Sequence, residues 1–84
     1  MSYAVFILRR AQKELAQLPS EVYEQTKETI RTLGEEPRPH GCKKLTGREG
    51  WRIRVGDYRI ICEIDDARSI VTALDIGQSR DIYR

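Results

Sequence analysis

Several features that identify common classes of protein are scarce or absent in this chain of 84 residues. It has two cysteines and one histidine, which is too few for a four-ligand structural zinc site. No apolar run approaches the roughly 18 residues that a transmembrane helix needs. The start, MSYAVFILRR, has no basic segment ahead of its apolar run, so we do not expect a signal peptide. These absences predict a cytoplasmic protein that has no membrane partner.

The motifs of the common catalytic classes are also missing. There is no Walker loop, no GxSxG nucleophile turn and no HExxH zinc motif. The single histidine, His40, lies in a stretch rich in glycine and proline. A lone histidine in such a loop more often has no catalytic role than acts as a general base. Cys62 stands in an apolar segment typical of a core, and a disulfide with Cys42 is not expected in the cytosol. The sequence thus predicts no metal, no cofactor and no small-molecule substrate.

Positive charge is concentrated in the middle of the chain. The net charge is only +2, yet from Pro37 to Cys62 seven residues are basic and two are acidic. Such a concentration favours a polyanionic partner such as nucleic acid, although a solvated basic face fits the charge alone equally well. The seven basic residues are Arg38, Lys43, Lys44, Arg48, Arg52, Arg54 and Arg59.

The pattern of apolar residues predicts one α+β domain over residues 1–84, a length that suits a single domain. Tyr3–Leu8 is a short β-prone run. Two helices then form an αα-hairpin, the first ending at Pro19 and the second running from an N-cap at Ser20 to Gly34. A long loop leads to an antiparallel meander of three strands, the last over Ile70–Ile76. We expect the helices to pack on one face of a mostly antiparallel sheet, which leaves its other face free.

The stretch WRIRVGDYRI, residues 51–60, predicts a hairpin around a type II′ turn at Gly56-Asp57. In this register Arg54 lies opposite Arg59, and both share with Arg52 the face that points away from the helices. Like charges that face each other across a sheet destabilise it. A slip of one residue would bury the arginines, so the register is strongly specified.

Two interpretations of this surface remain open. It is either a solvated sheet face kept soluble by neighbouring carboxylates such as Glu63 and Asp75, or a preorganised phosphate site. Near the C-terminus, Arg80 and Tyr83 are three residues apart and would share one face of a helical turn, although Tyr83 packing the chain end is as plausible. Arginines and a tyrosine without an obligatory histidine or carboxylate suit RNA cleavage by the substrate's own 2′-hydroxyl, in which positioning and electrostatics dominate.

Three segments carry a resemblance to a known family: KKLTG (43–47), WRIRVGDYRIICEI (51–64) and DIGQSRDIYR (75–84). Together with the initial YAVFILRRAQKELAQLP they resemble the RelE/ParE toxin superfamily of bacterial type II toxin–antitoxin systems, specifically its RelE-like branch, over essentially the whole chain. The resemblance implies a RelE-like fold and a ribosome-dependent mRNA endonuclease, or mRNA interferase. Such toxins enter the ribosomal A site, cut mRNA by 2′-hydroxyl attack without a metal and inhibit translation. It also implies a cognate antitoxin that masks the basic face.

The resemblance implies catalytic roles for five residues. Arg59 matches the arginine that contacts the scissile phosphate, Arg80 the arginine that assists the leaving group, and Tyr83 the tyrosine that stacks on the base or transfers a proton. Arg52 and Arg54 stand where relatives often have lysines. Because arginine does not lose its proton at neutral pH, these two are interpreted as electrostatic stabilisers. The residues expected to bind RNA or the ribosome are Arg38, Lys43, Lys44 and Arg48.

The chain departs from the family pattern at Gln78 and Ser79, where many relatives have a basic residue or histidine. The general base is therefore not identified, with Tyr83 as the best candidate and His40 as a reserve. Two other functions remain open on the sequence alone. One is a ParE-like inhibitor of DNA gyrase with the same fold, and the other is a non-catalytic module that binds RNA or a protein partner.

Overall fold

The structure, a computed structural model, describes residues 2–79. The described chain runs through one strand, two helices and four further strands. Their bounds are β1 (Ala4–Ile7), α1 (Arg9–Ala16), α2 (Ser20–Thr32), β2 (Lys43–Lys44), β3 (Trp51–Val55), β4 (Tyr58–Asp65) and β5 (Ile70–Gln78).

The strands form a single mixed sheet in the order β1-β5-β4-β3-β2. β1 pairs parallel with β5, and the other neighbours are antiparallel. Both helices pack against one face of this sheet, as the sequence predicted. The two-residue strand β2 was not predicted, because its lysines lie in a stretch of glycines and prolines that indicates only a loop.

The helix ends follow from local hydrogen bonding. α1 buries Ala11 and Leu15, which are spaced four residues apart on one face. α2 begins one residue earlier than the sequence predicted, because its N-cap is Pro19 rather than Ser20. The carbonyl of Pro19 accepts the N–H of Tyr23 at 2.8 Å, so the first turn closes without a side-chain cap.

Gly34 directly follows the C-cap of α2, where the sequence predicted that the helix stops, and it is not among the glycines with positive φ. Its carbonyl accepts the N–H of Tyr3 at 2.7 Å. A Cβ on Gly34 would lie 3.1 Å from the Tyr3 carbonyl oxygen. Glycine at this position therefore allows the end of α2 to approach the start of β1 closely.

The core lies between the two helices and the sheet. Leu33, Ile60 and Val71 are fully buried there. Cys62 is also buried, and this burial raises the pKa of its thiol to about 12. Cys62 and Cys42 are both free thiols. Cys62 is therefore an apolar core residue that stays protonated at neutral pH.

β5 contains a bulge that changes which of its residues face the core. Before the bulge Val71 and Ala73 are buried, and after it Ile76 takes the core position. Two consecutive residues of β4 pair with Ala73 and Asp75, which leaves Leu74 as the extra residue. The shift of one residue places Asp75 on the face of the sheet opposite α1 and α2.

Side chains of α1 hold this bulge. The Arg10 guanidinium donates through Nη2 to the carbonyl of Leu74 at 3.3 Å. The N–H of Ile76 donates to Oε1 of Glu14 at 2.9 Å. Side chains of α1 therefore bind the Leu74 carbonyl and the Ile76 N–H, which the bulge removes from the regular hydrogen-bond ladder of the sheet.

Among residues 2–79, no helix is both long enough and apolar enough to cross a membrane.

Candidate phosphate-binding site

The hairpin of β3 and β4 has the register that the sequence predicted. Arg54 pairs with Arg59, and Arg52 pairs with Ile61. Gly56 has a φ of +60° in the turn, the conformation that a type II′ turn requires of its first central residue. Arg52, Arg54 and Arg59 therefore share the sheet face opposite the helices, and we call these three residues the arginine face.

The three arginines differ in exposure. Arg54 is exposed, Arg52 is half-buried, and Arg59 is buried with 6% of its surface accessible. Ile61, next to them on the same face, is also buried at 2%. The centre of the arginine face is thus shielded from water, because long side chains cover it. Burial is what separates Arg59 from an ordinary solvated cation.

Arg59 is only partly neutralised. Its Nη1 lies 3.4 Å from Oδ1 of Asp75, and the two side chains are 7% and 30% exposed. Its Nε is buried and has no hydrogen-bond partner among residues 2–79. An unpaired buried donor of a charged group is costly and is rare in native proteins. It is an expected feature of a group whose partner arrives as an anionic ligand.

β2 extends this surface to the edge of the sheet. Lys43 pairs with Arg52, so its side chain belongs to the same face. Lys44 pairs with Trp51 and belongs to the other face, where its Nζ lies 3.4 Å from the Arg48 carbonyl oxygen. Of the four residues predicted to contact RNA or the ribosome, the fold therefore places Lys43 on the arginine face and Lys44 behind it. Arg48 is exposed in the loop before β3.

Arg38 is engaged in a network within the protein. Its guanidinium forms two hydrogen bonds to the carboxylate of Asp66, at 3.1 and 2.8 Å. The hydroxyl of Tyr3 donates to the same carboxylate at 2.7 Å. The Arg38 guanidinium also lies 4.8 Å from the centre of the Trp51 ring, as in a cation–π contact. Arg38 thereby fastens the loop after α2 to the β4–β5 turn.

This network predicts an acid-sensitive contribution to stability. The Arg38 guanidinium and then the Tyr3 hydroxyl hold the pKa of Asp66 below its ordinary value of 3.8. A carboxyl with a lowered pKa stabilises the fold above its unfolded-state pKa and loses that contribution as the pH falls through the folded-state value. We expect Asp66→Asn to lower the urea midpoint at pH 7 and to flatten its decline below about pH 4.

Urea unfolding followed by circular dichroism between pH 7 and pH 2.5 measures this effect. Asp57→Asn is the matched control, since Asp57 is exposed at the other end of the β3–β4 hairpin. An acid dependence that is the same in the parent and in Asp66→Asn would show that the network contributes nothing.

A pocket of about 310 Å³ lies at the end of the hairpin away from the Gly56-Asp57 turn. Four of its lining residues are acidic, and Trp51 contributes an aromatic wall. Carboxylates repel phosphate, so this pocket is not part of a nucleic-acid surface. The lining residues are Glu49, Gly50, Trp51, Glu63, Ile64, Asp65 and Asp66.

The sequence missed two residues that shape the surroundings of Arg59. Glu14 on α1 holds the bulge next to Asp75, and its burial, followed by the nearby Asp75 carboxylate, raises the pKa of Glu14. Gly77 pairs with Arg59 across the sheet. Neither carries a sequence signal, because a helical glutamate and a glycine near a strand end are both common. Asp75 was expected near the arginines, and its ion pair with Arg59 confirms this.

The predicted residues Arg80 and Tyr83 lie outside the described residues. The last described residue, Ser79, donates its N–H to the carbonyl of Asp57 at 2.9 Å, beside the hairpin turn. The hydroxyl of Ser79 is buried and has no hydrogen-bond partner within the described part of the chain. His40 is exposed in the loop after α2. Over residues 2–79, no group of three or more histidine, cysteine, aspartate or glutamate side chains could hold a metal ion.

The arrangement can bind and stabilise negative charge. Three fixed cations lie on one rigid sheet face, and the most buried of them has an unused donor. A desolvated guanidinium interacts more strongly with an oxyanion than an exposed one does. On this face, Asp75 supplies the carboxylate that contacts Arg59. Because this carboxylate is ion-paired, it is a poor candidate for a general base.

Comparisons with known proteins give a family match and a set of structures with a similar fold. The model of a family described as the ParE toxin of the type II toxin–antitoxin system, parDE, matches residues 5–83. A search of curated proteins finds no significant match.

Solved structures resemble the chain over nearly its full length. A mutant of the toxin RelE from E. coli in the free state is 28% identical, with a TM-score of 0.79 over 99% of this chain and 92% of that one. The archaeal RelE–RelB complex from Pyrococcus horikoshii contains a chain that is 30% identical, with a TM-score of 0.82 over 93% of this chain and 96% of that one. The toxin–antitoxin complex RelBE2 from Mycobacterium tuberculosis contains one that is 26% identical, with a TM-score of 0.82 over 93% and 99%.

Proposed function

Because this chain belongs to the ParE toxin family, within the RelE/ParE superfamily, and has the fold of RelE toxins, we propose that it is a ribosome-dependent mRNA endoribonuclease. It cuts mRNA in the ribosomal A site by attack of the substrate's 2′-hydroxyl on the adjacent phosphate and so inhibits translation. The attacking oxygen displaces the 5′-oxygen of the next nucleotide, which leaves a 2′,3′-cyclic phosphate. Cleavage of this kind needs no metal and no cofactor.

The observation that carries the proposal is the state of Arg59. This guanidinium is buried on the sheet face opposite α1 and α2, is held at Nη1 by Asp75 and, among residues 2–79, has no hydrogen-bond partner for its Nε. A phosphorane carries more negative charge than a ground-state phosphodiester. A desolvated cation fixed in the sheet therefore stabilises the transition state more than the substrate, which is the requirement for catalysis.

The remaining roles follow from the same face. Arg52 and Arg54 flank Arg59 and neutralise the phosphate backbone, and both stay charged at any working pH. Arg80 assists the leaving 5′-oxygen, and Tyr83 stacks on the mRNA base or moves a proton. Lys43, at the edge of the arginine face, contacts RNA or ribosomal RNA. Lys44, Arg48 and Arg38 contribute to the electrostatic attraction at longer range.

The partners of the protein are mRNA on the ribosome and a cognate antitoxin. Two of the similar structures are complexes of a toxin with its antitoxin, which supports a protein of that kind as the inhibitor of this chain. An antitoxin that covers the arginine face with acidic groups would block it. A protein that acts on translating ribosomes is located in the cytoplasm and needs neither a membrane nor a small-molecule substrate.

Primer extension on one translating mRNA tests the proposal. Purified protein is added to programmed ribosomes and, in a parallel reaction, to the same mRNA without ribosomes. We expect cuts within the A-site codon only when ribosomes are present. Rapid cutting of naked mRNA, or no cutting in any reaction, would contradict the proposal.

The second candidate is a ParE-like inhibitor of DNA gyrase, which the matching family model favours. It predicts intact mRNA together with gyrase-dependent DNA breaks in expressing cells. The third candidate, a non-catalytic module, is favoured by Gln78 and Ser79, which replace basic residues of the family pattern. It predicts binding to ribosomes or RNA without a cleaved product at any protein concentration.

A further inference from the structure

Gly77 lies directly beneath the guanidinium of Arg59. The two residues pair across β4 and β5. A Cβ placed on Gly77 would lie 2.9 Å from Nη1, 3.5 Å from Cζ and 3.6 Å from Nη2 of Arg59. The guanidinium therefore occupies the space that any side chain at position 77 would fill.

Backbone conformation does not account for this glycine. The described glycines with positive φ are Gly41, Gly47, Gly50 and Gly56, and Gly77 is not one of them. Its backbone is that of an ordinary strand residue, which alanine adopts readily. Glycine within a strand is otherwise unfavourable, because it packs no side chain. Glycine is required at position 77 because the Arg59 guanidinium approaches its Cα so closely.

Further contacts hold the Arg59 guanidinium in this place above Gly77, which we call its seat. Asp75, two residues before Gly77 on the same face, holds Nη1 at 3.4 Å. The bulge that turns Asp75 and Gly77 to this face is held by Glu14 and Arg10 on α1. Without the bulge, alternation along β5 would turn both residues toward the core. The fold thus places a bare Cα and a carboxylate of the neighbouring strand β5 next to one arginine.

We propose that Gly77 and Asp75 are positioning residues for Arg59: the bare Cα of Gly77 seats the guanidinium and Asp75 fastens its Nη1, so that the guanidinium is fixed in one place on the arginine face. This inference rests on the proposed nuclease function, because a phosphodiester is the anion that the seat prepares for. Fixing the guanidinium before the substrate arrives removes an ordering cost from the reaction. Gly77→Ala displaces only the flexible end of Arg59, so the fold is retained.

The test compares four proteins in the programmed-ribosome assay under single-turnover conditions: the parent, Gly77→Ala, Arg59→Ala and the double variant. We expect Gly77→Ala to lower the maximal cleavage rate by about 10²-fold, the usual effect of a misplaced catalytic group. The protein concentration that gives half of the maximal rate should stay within about twofold of the parent value, because the variant still binds the ribosome through its other cations. The double variant should cut no more slowly than Arg59→Ala alone.

Asp75→Asn tests the fastening contact, and Glu63→Gln is its matched control on the same face. Both change the net charge by one unit, and Glu63 lies opposite Thr72 rather than beside Arg59. We expect Asp75→Asn to lower the maximal rate by about tenfold and Glu63→Gln to leave it unchanged. Equal effects of the two variants would show that charge alone matters and would overturn the role of Asp75.

Failure of this inference differs from failure of the proposed function. Parental cleavage by Gly77→Ala, or an equal loss from Gly77→Ala in the Arg59→Ala background, would overturn the seat. If the parent itself does not cut mRNA, the proposed function is wrong, and urea midpoints of the same four proteins then decide the placement. If Gly77→Ala lowers the urea midpoint only when Arg59 is present, the result supports the seat. If the changes in midpoint caused by Gly77→Ala and Arg59→Ala simply add, the result overturns the seat.

Discussion

Arg59→Ala is expected to abolish ribosome-dependent cleavage, with a loss of about 10²–10³-fold or more in the maximal rate. Arg59 is the buried cation of the arginine face, so its interaction with a developing phosphorane is the least screened by water. Primer extension with purified variants on programmed ribosomes measures the effect. Arg59→Lys should recover only part of the activity, because lysine keeps the charge but lacks the planar fork of donors.

Arg68→Ala is the matched control for this prediction. It removes the same charge from the β4–β5 turn, where the Arg68 side chain is 79% exposed and pairs loosely with Asp65. We expect parental activity from this variant. Circular dichroism should show that Arg59→Ala remains folded, since the Asp75 side chain is 30% exposed and water can solvate its carboxylate. An Arg59→Ala protein that cuts as well as the parent would overturn the assignment.

Tyr83→Phe is expected to lower the maximal cleavage rate by about 10²–10⁴-fold, the usual contribution of a group that moves a proton in the transition state. Phenylalanine keeps an aromatic ring for stacking on the mRNA base, so this variant separates the hydroxyl from the ring. Tyr83→Ala should lose the same factor and, in addition, bind programmed ribosomes more weakly. Rates measured between pH 6 and pH 9 complete the experiment, because loss of the base should remove the increase of rate with pH.

Tyr58→Phe is the control for a lost tyrosine hydroxyl. Tyr58 begins β4 and pairs with Val55 on the face opposite the arginines. Parental activity is expected from it. A Tyr83→Phe protein with parental activity would limit Tyr83 to stacking and would leave another group to move the proton.

The candidate site could be predicted in part. Alternation along residues 51–60 predicted both faces of the hairpin, because one face had to be apolar to meet the helices and any slip would have buried arginines. The roles of Arg80 and Tyr83 rest on the family resemblance and stay predictions. Burial of Arg59 was not predictable, because Arg52, Arg54 and Arg59 look equivalent in the sequence.

Local sequence patterns determined the helices, the strands other than β2 and the chemistry of the middle segment. Periodicity, Pro19 and Gly56 act over a few residues, and the arginines are charged in any fold. The tertiary structure alone decided which arginine is buried and what it contacts. That outcome depends on a bulge in β5, which is held by two side chains of α1 more than 60 residues earlier in the chain. Contacts between such distant segments leave no local pattern, since they depend on how the helix and strand pack together.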